Sequence, residues 1–273
     1  MSNLDLTTRS LTTLAIDTST ASLTVAIVRD GRLVDTSLTF AERNHSVRII
    51  SEIKELLARN GIRGNEIDLI AVGQGPGSYT GVRIAVTAAK TLAWTWNKPL
   101  IGVSSLEALA FGACKALKPE GKAWIVPIMD ARRGQVYSSR FEAISNSHGD
   151  THWQMLDPDR IRMIADWAPE LGELSMSRSD HVQEQKNDGL NEADICTVWF
   201  VGDIGVHTAT IEQVRETYPQ LEIYSCNLDA GAIGQLGERR FRLGERDEVH
   251  TFVPNYTQLT EAESKLLSAS RGE

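Results

Sequence analysis

No block of lysine and arginine interrupts these 273 residues, and the chain carries a formal charge of −8. A protein whose main task is to grip a phosphate backbone presents a basic face. Dominant, direct nucleic-acid binding is therefore disfavoured, although a local patch is compatible with the charge. Cysteine is scarce too: Cys114, Cys196 and Cys226 are odd in number and lack CxxC spacing. That fits a reducing compartment and argues against a disulfide framework or a zinc site. The six histidines form no HExxH. His148 and His152 stand four apart, but in a Ser-, Gly- and Asp-rich stretch that does not put them on one helical face. No GxSxG nucleophile elbow occurs. No run approaches the roughly 20 apolar residues that span a bilayer, and residues 1–13 lack the apolar core of a secretory leader. A cytoplasmic protein without a metal is expected.

What is there has ordinary globular proportions, 41% hydrophobic and 23% charged, and the length of one large or two medium domains. Its most informative stretch is Gly73-Gln-Gly-Pro-Gly-Ser-Tyr-Thr-Gly81. Four glycines and a proline lie between an apolar run (67–72) and a helical run (82–96). Glycine permits positive φ and close backbone approach, so such a turn suits an anion or a neighbouring chain. No Gly-Lys-Ser/Thr follows, so it is not a Walker A loop, and the spacing is not a dinucleotide fingerprint. A plain strand-to-helix turn is the alternative. A second turn, Asp17-Thr18-Ser19, joins two strands. In actin-like and sugar-kinase-like folds such a turn faces nucleotide phosphates: the carboxylate positions a metal-bound water and backbone N–H groups face the phosphate. Its side chains can equally bond nearby backbone. Asp17, Thr18, Gly75, Gly77, Ser78 and Arg83 are thus candidates for a phosphate-facing or interface loop.

Period-two alternation predicts two strands over 13–28 and a third over 32–40 after the Asp30-Gly31 hairpin. A helix over 46–60 shows Val47, Ile50, Ile53 and Leu57 as its inward stripe. Strands follow at 67–72 and 100–103, with the helix 82–96 between them. The first hundred residues thus read β-β-β-α-β-α-β, a mixed sheet. A helix over 104–116, strands over 124–129 and 135–144 around the turn 130–134, a strand over 198–201, a turn into a helix near Val206 and a last helix over 230–243 repeat that plan loosely. The stretch 170–194 is Ser-, Glu-, Gln-, Asn- and Asp-rich and reads as a mobile surface insertion. Two lobes are expected, 1–106 and 107–273, the second with a polar insertion near 170–195 and a tail able to pack back on the first.

The helix 82–96 has only Arg83 and Lys90 as charges, and small residues recur at Gly81, Ala85, Ala88, Ala89 and Ala93. A surface helix should show one polar face. This one has almost none, and small side chains let a second helix approach closely. With Ile49 and Leu56 offered beyond the inward stripe of 46–60, the helix pair reads as a protein–protein interface, with a three-layer interior as the alternative. Candidate contacts are Val47, Ile50, Val82, Ala85, Val86 and Ala89. Asp130-Ala-Arg-Arg-Gly134 places two arginines at a turn, suited to an anion or an acidic partner, or to a solvated hairpin tip.

Ala15-Ile-Asp-Thr-Ser19, the stretch from Gly73 to Arg83, Ile101-Gly-Val-Ser-Ser-Leu106 and Asp130-Ala-Arg-Arg-Gly-Gln-Val-Tyr137 together resemble the TsaB (YeaZ) family. The likeness covers Leu14 to Phe141 well and continues loosely through Val201-Gly-Asp203 and Pro254-Asn-Tyr256. The family's tail pattern has an arginine two residues after the tyrosine, where this chain has Gln258.

The resemblance implies an α/β, two-lobed ASKHA fold of the actin, hsp70 and sugar-kinase type (RNase H-like), with mixed five-stranded sheets and flanking helices. It also implies a part in forming N6-threonylcarbamoyladenosine at position 37 of tRNAs that read A-starting codons. There, one enzyme makes threonylcarbamoyl-adenylate from threonine, bicarbonate and ATP, and TsaD, a paralogue of TsaB, transfers the group. TsaB pairs with TsaD, and the ATPase TsaE joins them. The catalytic paralogue carries two metal-binding histidines after the strand matching 100–103, and alignment puts them at Ser105 and Leu109. A hydroxyl and an alkyl group do not replace two imidazoles on a divalent metal. A non-catalytic scaffold follows, docking on TsaD, homodimerising when alone, touching tRNA weakly or indirectly, and holding no tight cofactor, with ATP used elsewhere in the pathway. The competing readings are an ATP-dependent phosphotransferase or ATPase using Asp17 and the glycine loop, and, more weakly, an M22-type metallopeptidase.

Overall fold

The computed structural model describes residues 10–40, 45–145, 151–183 and 196–257. Its first sheet opens with β1 (Thr12–Asp17), β2 (Ser22–Arg29) and β3 (Arg32–Phe40), an antiparallel meander. Asp30 and Gly31 turn β2 into β3 with φ of 50° and 74°, as a two-residue hairpin with this twist requires. Two crossovers follow. Helix α1 (His45–Arg59) leads to β4 (Leu69–Gly73), and α2 (Tyr79–Trp96) leads to β5 (Leu100–Val103). Both strands join in parallel, giving the order β3-β2-β1-β4-β5. β1 and β4 are buried along their whole length, and β4 accordingly reads as an unbroken apolar run.

After α3 (Ser105–Leu117) the second sheet repeats the plan. β6 (Lys122–Arg132), β7 (Gln135–Ser145) and β8 (Thr151–Met163) form its meander. Helix α4 (Ile164–Gln183), β9 (Thr197–Gly202), α5 (Thr208–Arg215) and β10 (Leu221–Ser225) supply its parallel half. The order β10-β9-β6-β7-β8 is the first sheet's order written with the second sheet's strands. Two copies of one meander-plus-crossover plan make the two-lobed ASKHA architecture.

The chain then returns. Helix α6 (Ala230–Arg242) lies on the first sheet, α3 lies on the second, and the two helices pack on each other. Alternation along the strands sorts the first lobe's core by face. Leu14, Ile16, Val25, Ile70 and Val72 meet α1 and α2, while Ala15, Ala26 and Ala71 meet Ile233 and Leu236 of α6. A boundary at 106 therefore falls inside α3, and the C-terminal helix is a layer of the first lobe. The tail follows it: Phe252 enters the first lobe's core, and Lys90 Nζ donates to the carbonyls of His250 and Phe252.

Several expectations need correction. Helix α2 begins at Tyr79 rather than Val82, because the Ser78 hydroxyl accepts the Gly81 N–H and caps it. The inward stripe of α1 is Ile49, Ile53, Leu56 and Leu57; Val47 and Ile50 face outward. Strands β8 and β10 have no counterpart in the sequence reading. The stretch 170–183 is the body of α4, with Leu171 buried against the second lobe's core, rather than a loop. The remainder of that polar insertion, 184–195, and Gln258 lie outside the described residues, as does His148.

Candidate functional site

At the end of β1 the chain turns, and Asp17, Thr18 and Ser19 of that turn are all buried. Both carboxylate oxygens of Asp17 are used. Oδ1 accepts the backbone N–H and the hydroxyl of Ser19 at 2.6 and 2.7 Å, and Oδ2 accepts the Ser105 hydroxyl at 2.7 Å. Burial pushes the Asp17 carboxyl above its ordinary 3.8, against the pull of these three bonds. The glycine loop closes over this turn. A Cβ on Gly73 would stand 1.7 Å from Asp17 Oδ2, and one on Gly81 would stand 1.9 Å from the Thr18 carbonyl oxygen. Thr18 Oγ1 donates to the Gly81 carbonyl, and Ser78 N–H donates to the Ser19 carbonyl. Gly75 is buried with its N–H on Ser105 Oγ, Gly77 stands against the Ser19 carbonyl, and the Gly75–Pro76 bond is cis. Of the six loop candidates, Ser78 and Arg83 are exposed. The others, with the backbone of Ser78, join the two turns into one seam, in which glycine allows contact that a side chain would prevent.

Ser105 and Leu109 sit on the first turns of α3. Ser105 bridges Asp17 and Gly75, and Leu109 is buried in the core shared with α6. Among the described residues no group of three His, Cys, Asp or Glu side chains could hold a metal ion. A polar node lies beside them. Ser104, the N-cap of α3, donates to Asp159 Oδ2 of β8 at 2.8 Å, and Asn255 of the tail donates to the same oxygen at 3.1 Å. Asn255 N–H also donates to the Gln74 carbonyl in the glycine loop. One carboxylate thus ties the second sheet, α3 and the tail to the first lobe. Burial raises the pKa of Asp159, and of Glu107, which pairs with Arg240 of α6. The sequence reading missed this node because its members are far apart in the chain and belong to no motif.

On the outer side, α2 lies against the first sheet with Val82, Ala85, Val86 and Ala89 between 0 and 4% exposed. These four are core, which corrects their assignment as partner contacts: the small side chains let the sheet approach. The uncovered stripe is Arg83, Thr87, Thr91 and Trp94, at helical spacing that could have been read from the sequence. Trp94 is 70% exposed, and on the neighbouring α1 Val47 is 76% and Ile50 42% exposed. Tyr79, at the start of α2, faces Tyr256 of the tail with ring centroids 5.2 Å apart, and Arg83 lies over the Tyr79 ring. Elsewhere, the 130–134 turn holds Arg132 and Arg133 at positive φ, both exposed, while Asp130 Oδ1 accepts the Arg132 N–H and meets buried His207.

The fold and site define a two-lobed ASKHA protein with a closed first-lobe loop and an uncovered helical flank. Comparison with known proteins narrows this. The family described as TsaD, tRNA N6-adenosine threonylcarbamoyltransferase, matches residues 39–265. A Bacillus subtilis relative named tRNA threonylcarbamoyladenosine biosynthesis protein TsaB is 34% identical over 96% of this chain and 100% of its own. An Anaeromyxobacter dehalogenans protein named tRNA N6-adenosine threonylcarbamoyltransferase is 32% identical over 54% of this chain and 46% of its own. YeaZ from Pseudomonas aeruginosa superposes with a TM-score of 0.64 over 90% of this chain and 99% of that one, at 23% identity, which speaks for the fold. The chain belongs to the TsaB family, within the wider family that the TsaD description names. No helix among the described residues is long and apolar enough to cross a membrane.

Proposed function

We propose that this chain is a non-catalytic, activating subunit of the assembly that forms N6-threonylcarbamoyladenosine at position 37 of tRNAs reading A-starting codons, and that it binds the TsaD transferase through the outer face of α1 and α2. The observation that carries this is the uncovered apolar surface of that pair, Val47, Ile50 and Trp94. Large apolar side chains left exposed on the outward sides of two neighbouring helices mark an interaction surface. The hydroxyl at Ser105 and the alkyl group at Leu109 agree with it, since neither offers what a divalent metal needs where the transferase's histidines fall. Alone, the chain covers the same face with a second copy, an isologous pairing. TsaE joins the larger complex, tRNA contact is indirect, the work is cytoplasmic, and ATP is spent by other members of the pathway.

The test is co-purification with the TsaD of the same organism, followed by tRNA modification with and without this chain. A heterodimer is expected, with full modification only when both proteins are present. A Val47→Glu, Trp94→Glu variant with unchanged circular dichroism should lose both. Modification of tRNA by this chain alone, or normal pairing by the double variant, would overturn the reading.

A further inference from the structure

A cleft of about 660 Å³ opens where neither α1, α2 nor the glycine loop reaches. Its walls are the C-terminal half of α3, the loop into β6, the facing ends of β7 and β8, and Arg239 of α6. That volume lies within the roughly 300–1,000 Å³ of sites that hold small molecules.

Two chemistries meet there. The floor is aromatic: Trp153 stacks on Phe141 with centroids 5.0 Å apart and planes 9° apart, and Phe111 meets Trp153 edge-on at 5.8 Å. Each ring fixes the next, so the indole is held in place before any ligand arrives. The rim is cationic, with Lys115, Lys118 and Arg239 against the single acid Glu120. Lys115 Nζ lies over the Phe111 ring, 5.5 Å from its centroid, and donates one hydrogen bond to the neutral Gln235 Oε1, which leaves its charge unneutralised beside the aromatic floor. Lys115 and Lys118 lie at the carbonyl end of α3, where the helix dipole favours cations. In a chain of net charge −8 this is a local excess of positive charge. The Ser145 and Thr151 hydroxyls add neutral donors and acceptors.

We propose that this cleft binds a nucleoside phosphate, with the base against Trp153 and Phe111 and the phosphate among Lys115, Lys118 and Arg239. An inorganic anion would leave the aromatic floor in water, and an apolar ligand would leave the cations unneutralised. A flat base joined to a phosphate satisfies both. The same chemistry is offered by a free nucleotide and by one nucleotide of a single-stranded RNA loop. The site is independent of pairing through α1 and α2.

The experiment titrates the full-length chain by calorimetry with AMP and with a short unstructured RNA. Adenosine and inorganic phosphate serve as half-ligand controls. Saturable binding of AMP or the RNA is expected, at least about tenfold tighter than either half-ligand. Tighter binding of AMP assigns a free nucleotide, and tighter binding of the RNA assigns a nucleotide within a strand. Lys118→Glu with Arg239→Glu, both exposed positions at helix C-termini, should weaken that binding at least about tenfold while leaving subunit pairing unchanged and lowering Tm by only a few degrees. No binding of AMP or RNA overturns the proposal. So does binding that survives the double reversal, or phosphate alone binding as tightly as AMP.

Discussion

Asp17 shows what one residue can impose on its surroundings. Its carboxylate is sealed from water at the end of β1, and three donors from Ser19 and Ser105 converge on it. Burial nonetheless wins and raises its pKa above 3.8. A carboxyl whose folded pKa is raised contributes its full stability below the unfolded value and loses it as pH climbs through the folded one. Asp17→Asn keeps an acceptor for Ser19 and offers a donor to Ser105 Oγ, without a charge to bury. Its Tm relative to the parent should therefore rise as pH is taken from 4 to 8; a difference that falls with pH would reverse the assignment. Gly81 is the steric partner of this turn. An alanine there must push backbone rather than a flexible side chain, since its Cβ would lie 1.9 Å from the Thr18 carbonyl oxygen. Gly81→Ala should cost about 2–4 kcal/mol and lower Tm by on the order of 10 °C, measured by calorimetry. The cysteines give a second pH-dependent signature. Burial raises the Cys114 and Cys226 thiols to about 11, so both are protonated at neutral pH. Alkylation of these two should be slow at pH 8 and accelerate toward pH 11, where the nucleophilic thiolate appears.

Helices α1 and α2 each carry a buried and an exposed face. Ala85 and Ala89 are fully buried in α2, so Ala89→Arg would place a guanidinium inside the first lobe. That variant should unfold or express insolubly, by the cost of an unpaired buried charge. Val47→Glu and Trp94→Glu, on the exposed side, should change stability by less than about 1 kcal/mol and abolish association on a sizing column. A folded Ala89→Arg protein, or a Trp94→Glu variant that still associates, would contradict this division. The contrast also shows what the sequence can reveal. The β-β-β-α-β-α-β order was legible because hairpin turns, glycine stops and alternating strands are local signals. Which side of α2 faces the sheet was not, because Ala85, Ala88, Ala89 and Ala93 on one face suit a packed partner helix as well as a sheet. The outer row of Arg83, Thr87, Thr91 and Trp94 was present but weak, since threonine signals neither face strongly. Strand β8 escaped because as the edge strand of its sheet it is half-exposed along much of its length, and its apolar residues do not alternate cleanly. The helix through 170–183 escaped because Leu171 and Ser175 are the buried anchors that tie its polar turns down. The motif stretches identified the family, yet the Asp159 node depends on pairs 55 and 96 residues apart, which no local pattern encodes.

At the scale of the whole molecule, the duplicated sheets are not independent units, because the chain returns to the first lobe to finish it. Helix α6 arrives more than a hundred residues after β5 and covers the inner face of the first sheet. Ile233, Leu236 and Phe241 there meet the Ala15, Ala26, Ala71 and Val103 side of the strands. The fit is close: a Cβ on Gly237 would lie 2.7 Å from the Ala71 Cβ. Thr13 and the Gly31 N–H further anchor α6 through the buried Glu238 carboxylate. The tail adds Phe252, whose ring packs so tightly over β5 that a Cβ on Gly102 would come within 2.5 Å of it. A fragment ending at residue 120 would expose one apolar face of its sheet. It should be molten or insoluble, despite containing every strand of its lobe. A fragment whose residues 227–257 are restored in trans as a second polypeptide should regain a cooperative thermal transition. In the full chain, Phe252→Ala should cost about 3–5 kcal/mol by leaving a cavity and lower a single transition rather than split it, because the ring belongs to the core that both ends of the chain build. Two resolved calorimetric transitions, or a stably folded 1–120 fragment, would mean that each lobe closes its own core and that α6 is an attachment rather than a layer.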